Sequence, residues 1–225
     1  MKKIYPIFGL FAALIYIAYV VIGGALSQGG YSHLINAISE LPHFVPEDKF
    51  VYLSKLTIIY GIALIIFSII AFFDFKNYKS KFCGIAFVLI LLNSISGIMT
   101  DIFPMDARDT QTTVVGTMHM VLAGFLAIFS ILTPLFAGIG FKKIPKFEHL
   151  AVYSIISSII IFFSGIITAA GAANEFKYFG IVERITIGTY IIWILIISIQ
   201  MLIVNSKFVA IHGMEYDSNF RGKLN

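Results

Sequence analysis

The sequence predicts an all-α protein, a bundle of six transmembrane helices with a short amphipathic helix in the first outer loop. Three observations carry that prediction. Of the 225 residues, 59% are apolar and only 12% are charged, where a soluble domain carries roughly a quarter charged residues. The apolar residues gather into six runs of roughly 20, the length that crosses a hydrocarbon core. Lysine and arginine concentrate in alternate connections, the pattern by which spans are oriented.

The first run, Tyr5 to Leu26, follows Lys2 and Lys3 and is longer than the roughly 7–15 apolar residues of a secretory signal, so it is read as an uncleaved span despite Gly23-Gly24-Ala25. The further spans are 52–73, 82–103, 114–136, 150–173 and 181–204, followed by a short polar tail over 205–225 that is expected to be poorly ordered. With the N-terminus inside, Lys2, Lys3, Lys76, Lys79, Lys81, Lys142, Lys143, Lys146, Lys207, Arg221 and Lys223 fall on the cytoplasmic side. Lys49, Lys55, Arg108, Lys177 and Arg184 fall on the other. This bias predicts a cell-membrane protein with both termini cytoplasmic.

The net charge of +4 is accounted for by these short basic turns and implies the lipid bilayer as partner, with no nucleic acid. A single cysteine, Cys83, excludes an internal disulfide and a cysteine-rich metal site. It sits near a span end where palmitoylation is conceivable, but a packed thiol is the preferred reading. Small residues predict where helices approach: Gly9 and Ala13 on the first span, Gly116, Ala123 and Ala127 on the fourth, and Gly165, Ala169 and Ala173 on the fifth. The spans show no internal repeat of the inverted-transporter kind.

Function is sought in polar groups at membrane depth, where an ionisable side chain is costly without a partner or a purpose. On the third span Asn93, Gly97, Thr100 and Asp101 share one stripe by helical spacing, with Asn93 roughly 12 Å deeper than Asp101. On the fourth, His119 shares the small-residue face of Gly116. On the sixth, Glu183, Thr186, Tyr190 and Trp193 share a face, while Arg184 points away and is expected to snorkel to the headgroups. In the first outer loop, Leu34, Ile35, Ile38 and Leu41 form an apolar stripe opposite His33, Asn36 and Glu40, which predicts the amphipathic helix, ended by Pro42 and Pro46. Eight of the twelve acidic residues (Glu40, Glu47, Asp48, Asp101, Asp106, Asp109, Glu175 and Glu183) fall on the outer side.

These groups predict one outward-facing acidic pocket whose ligand-binding candidates are His33, Ser39, Glu40, Asn93, Asp101, Asp106, His119, Glu183 and Tyr190. Each also has a plain structural role open to it: Asp101 as a helix end facing water, His119 as a core histidine donating to a carbonyl, and Glu183 as a carboxylate favoured by a helix N-terminus.

Ile38-Ser39-Glu40-Leu41 after Tyr31-Ser32, Ile102-Phe103-Pro104-Met105-Asp106, and Gly116-Thr117-Met118-His119, in this order and spacing, resemble the membrane family called "domain of unknown function 998". The Glu183-Arg184 pair fits it too, while Met105 stands where a small residue such as Thr is expected. The resemblance covers nearly the whole chain. It implies that Ser39, Glu40, Asp106, His119 and Glu183 are the family's characteristic polar positions, and it implies no activity.

Three functions stay open on the sequence. The first is an outer pocket that binds or moves a lipid headgroup or small solute. The second is an intramembrane hydrolase or transferase acting on lipid, with His119, Asp101, Asp106 and Ser39 as catalytic candidates. The third is an accessory or structural membrane subunit. His33 and His119 are weak metal candidates, since no close ligand pair such as H-E-x-x-H occurs. A haem would want paired histidines on facing helices, and only His119 is intramembrane. No cofactor is specified.

Overall fold

The computed structural model describes residues 4–107, 110–173 and 176–221, with the side chains of residues 172, 173 and 206–221 outside that description. Lys2, Lys3, Arg108, Asp109, Glu175 and Lys223 therefore lie outside the described residues, as do the side chains of Ala173, Lys207 and Arg221. Among the described residues seven α-helices follow one another: α1 (Pro6–Leu26), α2 (Leu41–Phe44), α3 (Glu47–Phe75), α4 (Lys81–Ile102), α5 (Val114–Phe141), α6 (His149–Ala173) and α7 (Phe179–Arg221). All but α2 contain a stretch long and apolar enough to cross a membrane. The chain is an integral, multi-pass membrane protein built as a six-helix bundle.

Local chemistry sets several helix starts. Pro6 occupies the first turn of α1, where no amide partner is lost. Ser80 caps α4 by accepting from the Cys83 amide, and Thr113 caps α5 by accepting from the Gly116 amide at 3.0 Å. Glu47 and Asp48 stand in the first turn of α3, where the helix dipole favours negative charge. α7 continues without a break through the polar stretch from Asn205 to Arg221, so the backbone that the sequence leaves unstructured there is helical.

The spanning helices form a closed ring. α1 packs on α3, α3 on α4, and so on to α6 on α7, and α7 returns to α1. Close approach relies on missing side chains: a Cβ on Gly9 would fall 2.3 Å from the Ser198 hydroxyl, and one on Gly138 2.8 Å from the Ala151 carbonyl. The predicted small-residue faces hold for buried Gly9 and Ala13, but Ala169 is exposed. Leu14, Val21, Ile70, Ile156 and Phe163 are among many large apolar side chains left on the outside, as a lipid-facing surface requires.

The end of the bundle bearing the short basic turns, here the terminal end, is filled by aromatic rings. Phe75 lies 4.9 Å from Phe87, 5.2 Å from Phe147, 5.3 Å from Tyr78 and 6.2 Å from Phe141 between centroids. Cys83 is fully buried there, against Gly140. The packed-thiol reading fits this position.

Residues 27–46 form the long connection at the other end. The sequence predicts a helix across Tyr31–Leu41; the structure instead has turns there, and the helix is the single turn α2. Pro42 lies in the first turn of α2 and Pro46 precedes α3, so neither ends the expected helix. The reason is competition from side chains. The Asn36 Oδ1 accepts from the Ser32 amide at 3.0 Å, the Ser32 hydroxyl from the Leu34 amide, and the Glu40 carboxylate from the Ala37 amide at 2.7 Å. Asn36 and Glu40 are consequently buried while Leu34 is exposed, against the amphipathic arrangement, although Ile38 and Leu41 are buried and His33 is exposed as that arrangement expects.

Candidate functional site

The long connection docks on the first turns of α7. The amides of Gly180 and Ile181, which have no partner within their own helix, donate to the Ile35 and Leu34 carbonyls, each at 3.1 Å. Arg184 completes the seat from the same helix. Its Nη1 donates to the carbonyls of His33 (2.7 Å), Asn36 (2.6 Å) and Gly180 (2.9 Å), and its Nη2 donates to the Tyr31 hydroxyl. Snorkelling is therefore not what Arg184 does: four acceptors hold it, and its Nε is buried without a partner. Glu183 reaches the next stretch, accepting from the Ile38 amide at 2.5 Å and from the Ser39 hydroxyl at 3.3 Å.

Two glycines make the seat possible. A Cβ on Gly180 would lie 2.3 Å from the Asn36 carbonyl oxygen, and one on Gly24 of α1 would lie 2.3 Å from the His33 ring. Burial, aided by the nearby Arg184 charge, lowers the pKa of His33 below the ordinary histidine value. Tyr31 is pushed up by burial, with Arg184 pulling the other way.

The second connection at this end, residues 103–113, is tied to both neighbours. His119 Nδ1–H donates to the Phe103 carbonyl at 2.8 Å, and His43 Nε2–H to the Met105 carbonyl at 3.0 Å. The Ser39 hydroxyl lies 3.4 Å from the Met105 sulfur. Asp106 accepts from the Thr113 amide and hydroxyl, both at 2.8 Å. Those two bonds hold its carboxyl below the usual carboxylate range. Gly116 is the floor beneath it, since a Cβ there would fall 1.9 Å from the carboxylate.

A family model described as "Protein of unknown function (DUF998)" matches residues 10–200. The chain belongs to that family. No curated protein and no solved structure matches it. In this DUF998 chain the three short motifs that resemble the family in sequence meet in space. Ser39 touches Met105, Asp106 rests on Gly116, and His119 binds the carbonyl of Phe103.

Not every sequence candidate joins them. Asn93 and Asp101 do not share a partner despite their common stripe. Asn93 donates to Leu126 and Ser130 of α5, whereas Asp101 accepts from Thr57 of α3 at 2.7 Å. Tyr190 is buried deeper in the bundle, its ring 6.1 Å from Trp193 and its hydroxyl without a partner. Thr186 and Trp193 turn toward α6, bonding to Ser164 and Ser154. Among the described residues no group of three or more His, Cys, Asp or Glu is placed to hold a metal: His33 stacks over α1 while His119 faces the 103–113 connection.

The polar groups thus divide by what they do. Ser39, Asp106, His119, Glu183 and Arg184 use their hydrogen bonds to fasten the two connections to helix ends and to each other, and Glu40 binds the Ala37 amide within its own connection. Asp101 differs. It is exposed, and Thr57 must share its one hydroxyl proton between Asp101 and the Ser54 carbonyl at 2.6 Å. Among the described residues no cation pairs with it. Tyr16 and Tyr19 on α1 lie within electrostatic reach of both Asp101 and Glu183. Sequence reasoning gave Arg184 the wrong role and gave His43, Gly24 and Gly180 no site role; of these three only Gly180, a glycine where a span begins, left a readable signal.

Proposed function

We propose that this DUF998 protein binds an amine-bearing group, from a lipid headgroup or a small solute, at the long-connection end of the bundle. Asp101 receives the cation and the fastened connections form a fixed rim. The positive-inside bias of the turns supports placing this end outside the cell. One observation carries the reading: an exposed carboxylate inside a span, with one shared hydroxyl as partner and most of its acceptor capacity free. Asp101 stands in the last turn of α4, at the mouth of the bundle, where a carboxylate offers a charged acceptor to a positive group. Ser39 is engaged by Glu183 and Met105, with no imidazole among its partners, so the binding reading has more support than a hydrolase.

The test is native mass spectrometry of protein purified in a mild detergent and titrated with phosphatidylethanolamine or with free ethanolamine. Wild type is expected to retain one of them roughly tenfold or more better than Asp101→Asn does, the size of one charge-assisted hydrogen bond. Equal retention by the two proteins would sink the reading. Competition by free ethanolamine separates a solute site from a lipid site.

A further inference from the structure

At the terminal end, a groove of about 460 Å³ opens between α3 and α4, a volume within the ordinary range for ligand sites. Its body is apolar, formed by Phe72, Ile85, Val88 and Leu89, and its head carries Lys76, Lys79 and Lys81. Among the described residues no carboxylate pairs with these lysines. Lys81, Ile85, Val88 and Leu89 follow one stripe of α4, so the groove descends roughly 12 Å along the helix from its basic head. Gly84 keeps it open: the nearest atoms to a Cβ there are those of Phe72, at 3.5 and 3.9 Å.

The head is built in an unusual way. Lys79 has φ +52°, and it is the one non-glycine residue with positive φ among those described. That left-handed conformation is uncommon for a lysine, and it makes a sharp turn between α3 and α4 that sets Lys76, Lys79 and Lys81 along one groove. The first turn of α4, capped by Ser80, begins at the same head and adds the positive end of its dipole.

We propose that this groove binds an anionic phospholipid, its phosphate among Lys76, Lys79, Lys81 and the start of α4, and one acyl chain along Ile85, Val88 and Leu89. Charge complementarity selects the headgroup, and the apolar stripe selects a lipid over a soluble phosphate. Basic recesses between spans are suited to this class of ligand.

The experiment is native mass spectrometry in non-ionic detergent, comparing phosphatidylglycerol with phosphatidylcholine. Wild type is expected to prefer phosphatidylglycerol, and Lys76→Gln/Lys79→Gln/Lys81→Gln to lose that preference by roughly tenfold or more. Lys142→Gln/Lys143→Gln/Lys146→Gln removes the same charge from the neighbouring turn and is expected to keep it. Gly84→Leu, which leaves every lysine in place and fills the groove, is expected to lower phosphatidylglycerol occupancy. Equal losses in the two triple variants, or wild-type binding by Gly84→Leu, would overturn the proposal.

Discussion

At the terminal end Phe75 is surrounded by Tyr78, Phe87, Phe141 and Phe147, whereas at the long-connection end Glu183 and Arg184 are surrounded by backbone carbonyls and amides of residues 33–38. The first end is closed by dispersion between rings, which belongs to the helices themselves. The second is closed by hydrogen bonds between helix ends and an irregular segment, and of the Arg184 guanidinium only the buried Nε is left without an acceptor. The terminal end should therefore set the stability of the whole bundle, and the long-connection end should open locally.

Four substitutions probe that contrast. Phe75→Ala removes a ring 2% exposed and is expected to cost about 3–5 kcal/mol, seen as a lower unfolding temperature for the entire protein. Arg184→Met strands the carbonyls of His33 and Asn36 and should cost about 2–3 kcal/mol. Its readout is local: faster amide exchange across 27–46, with the global transition little moved. A global collapse there would break the distinction between the ends. Gly180→Ala, which drives a Cβ into the Asn36 carbonyl, should raise exchange in the same segment at a cost of about 1–3 kcal/mol.

The smallest effect concerns acid. His33 has a lowered pKa when the connection is docked, so the docked form binds fewer protons than the released form. Docking is then strongest above the ordinary histidine value of about 6.5 and weakens as pH falls from there through the lowered value. Proteolysis of residues 27–46 should accelerate between about pH 7.5 and about pH 5.5, and His33→Gln should flatten that response.

The spanning helices were legible because the bilayer imposes one requirement, a sustained apolar run, that composition displays directly. His119 donating to a carbonyl was legible as the plain alternative to a ligand role. The 31–41 segment was misread for a physical reason. Its apolar spacing fits a helix, but Ser32, Asn36 and Glu40 bind the local backbone and outcompete the helical ladder. Periodicity does not register that competition. Arg184 was misplaced because three acceptors from a segment about 150 positions earlier in the chain are invisible to any local rule. Asn93 and Asp101 share a stripe by helical spacing but not a surface, because on α4 that stripe straddles the boundary between the α3 and α5 contacts.

The closure of the ring between α1 and α7 has a consequence for how the protein is made. Residues 27–46 leave the ribosome on the order of ten seconds before Gly180, Glu183 and Arg184, and until then the carbonyls of His33, Leu34, Ile35 and Asn36 have no seat. The seam between first and last spans seals last, and it brings the latch for that waiting segment with it. A chain truncated before α7 would therefore present residues 27–46 to the surroundings, where proteases and insertion machinery can distinguish it from a finished molecule.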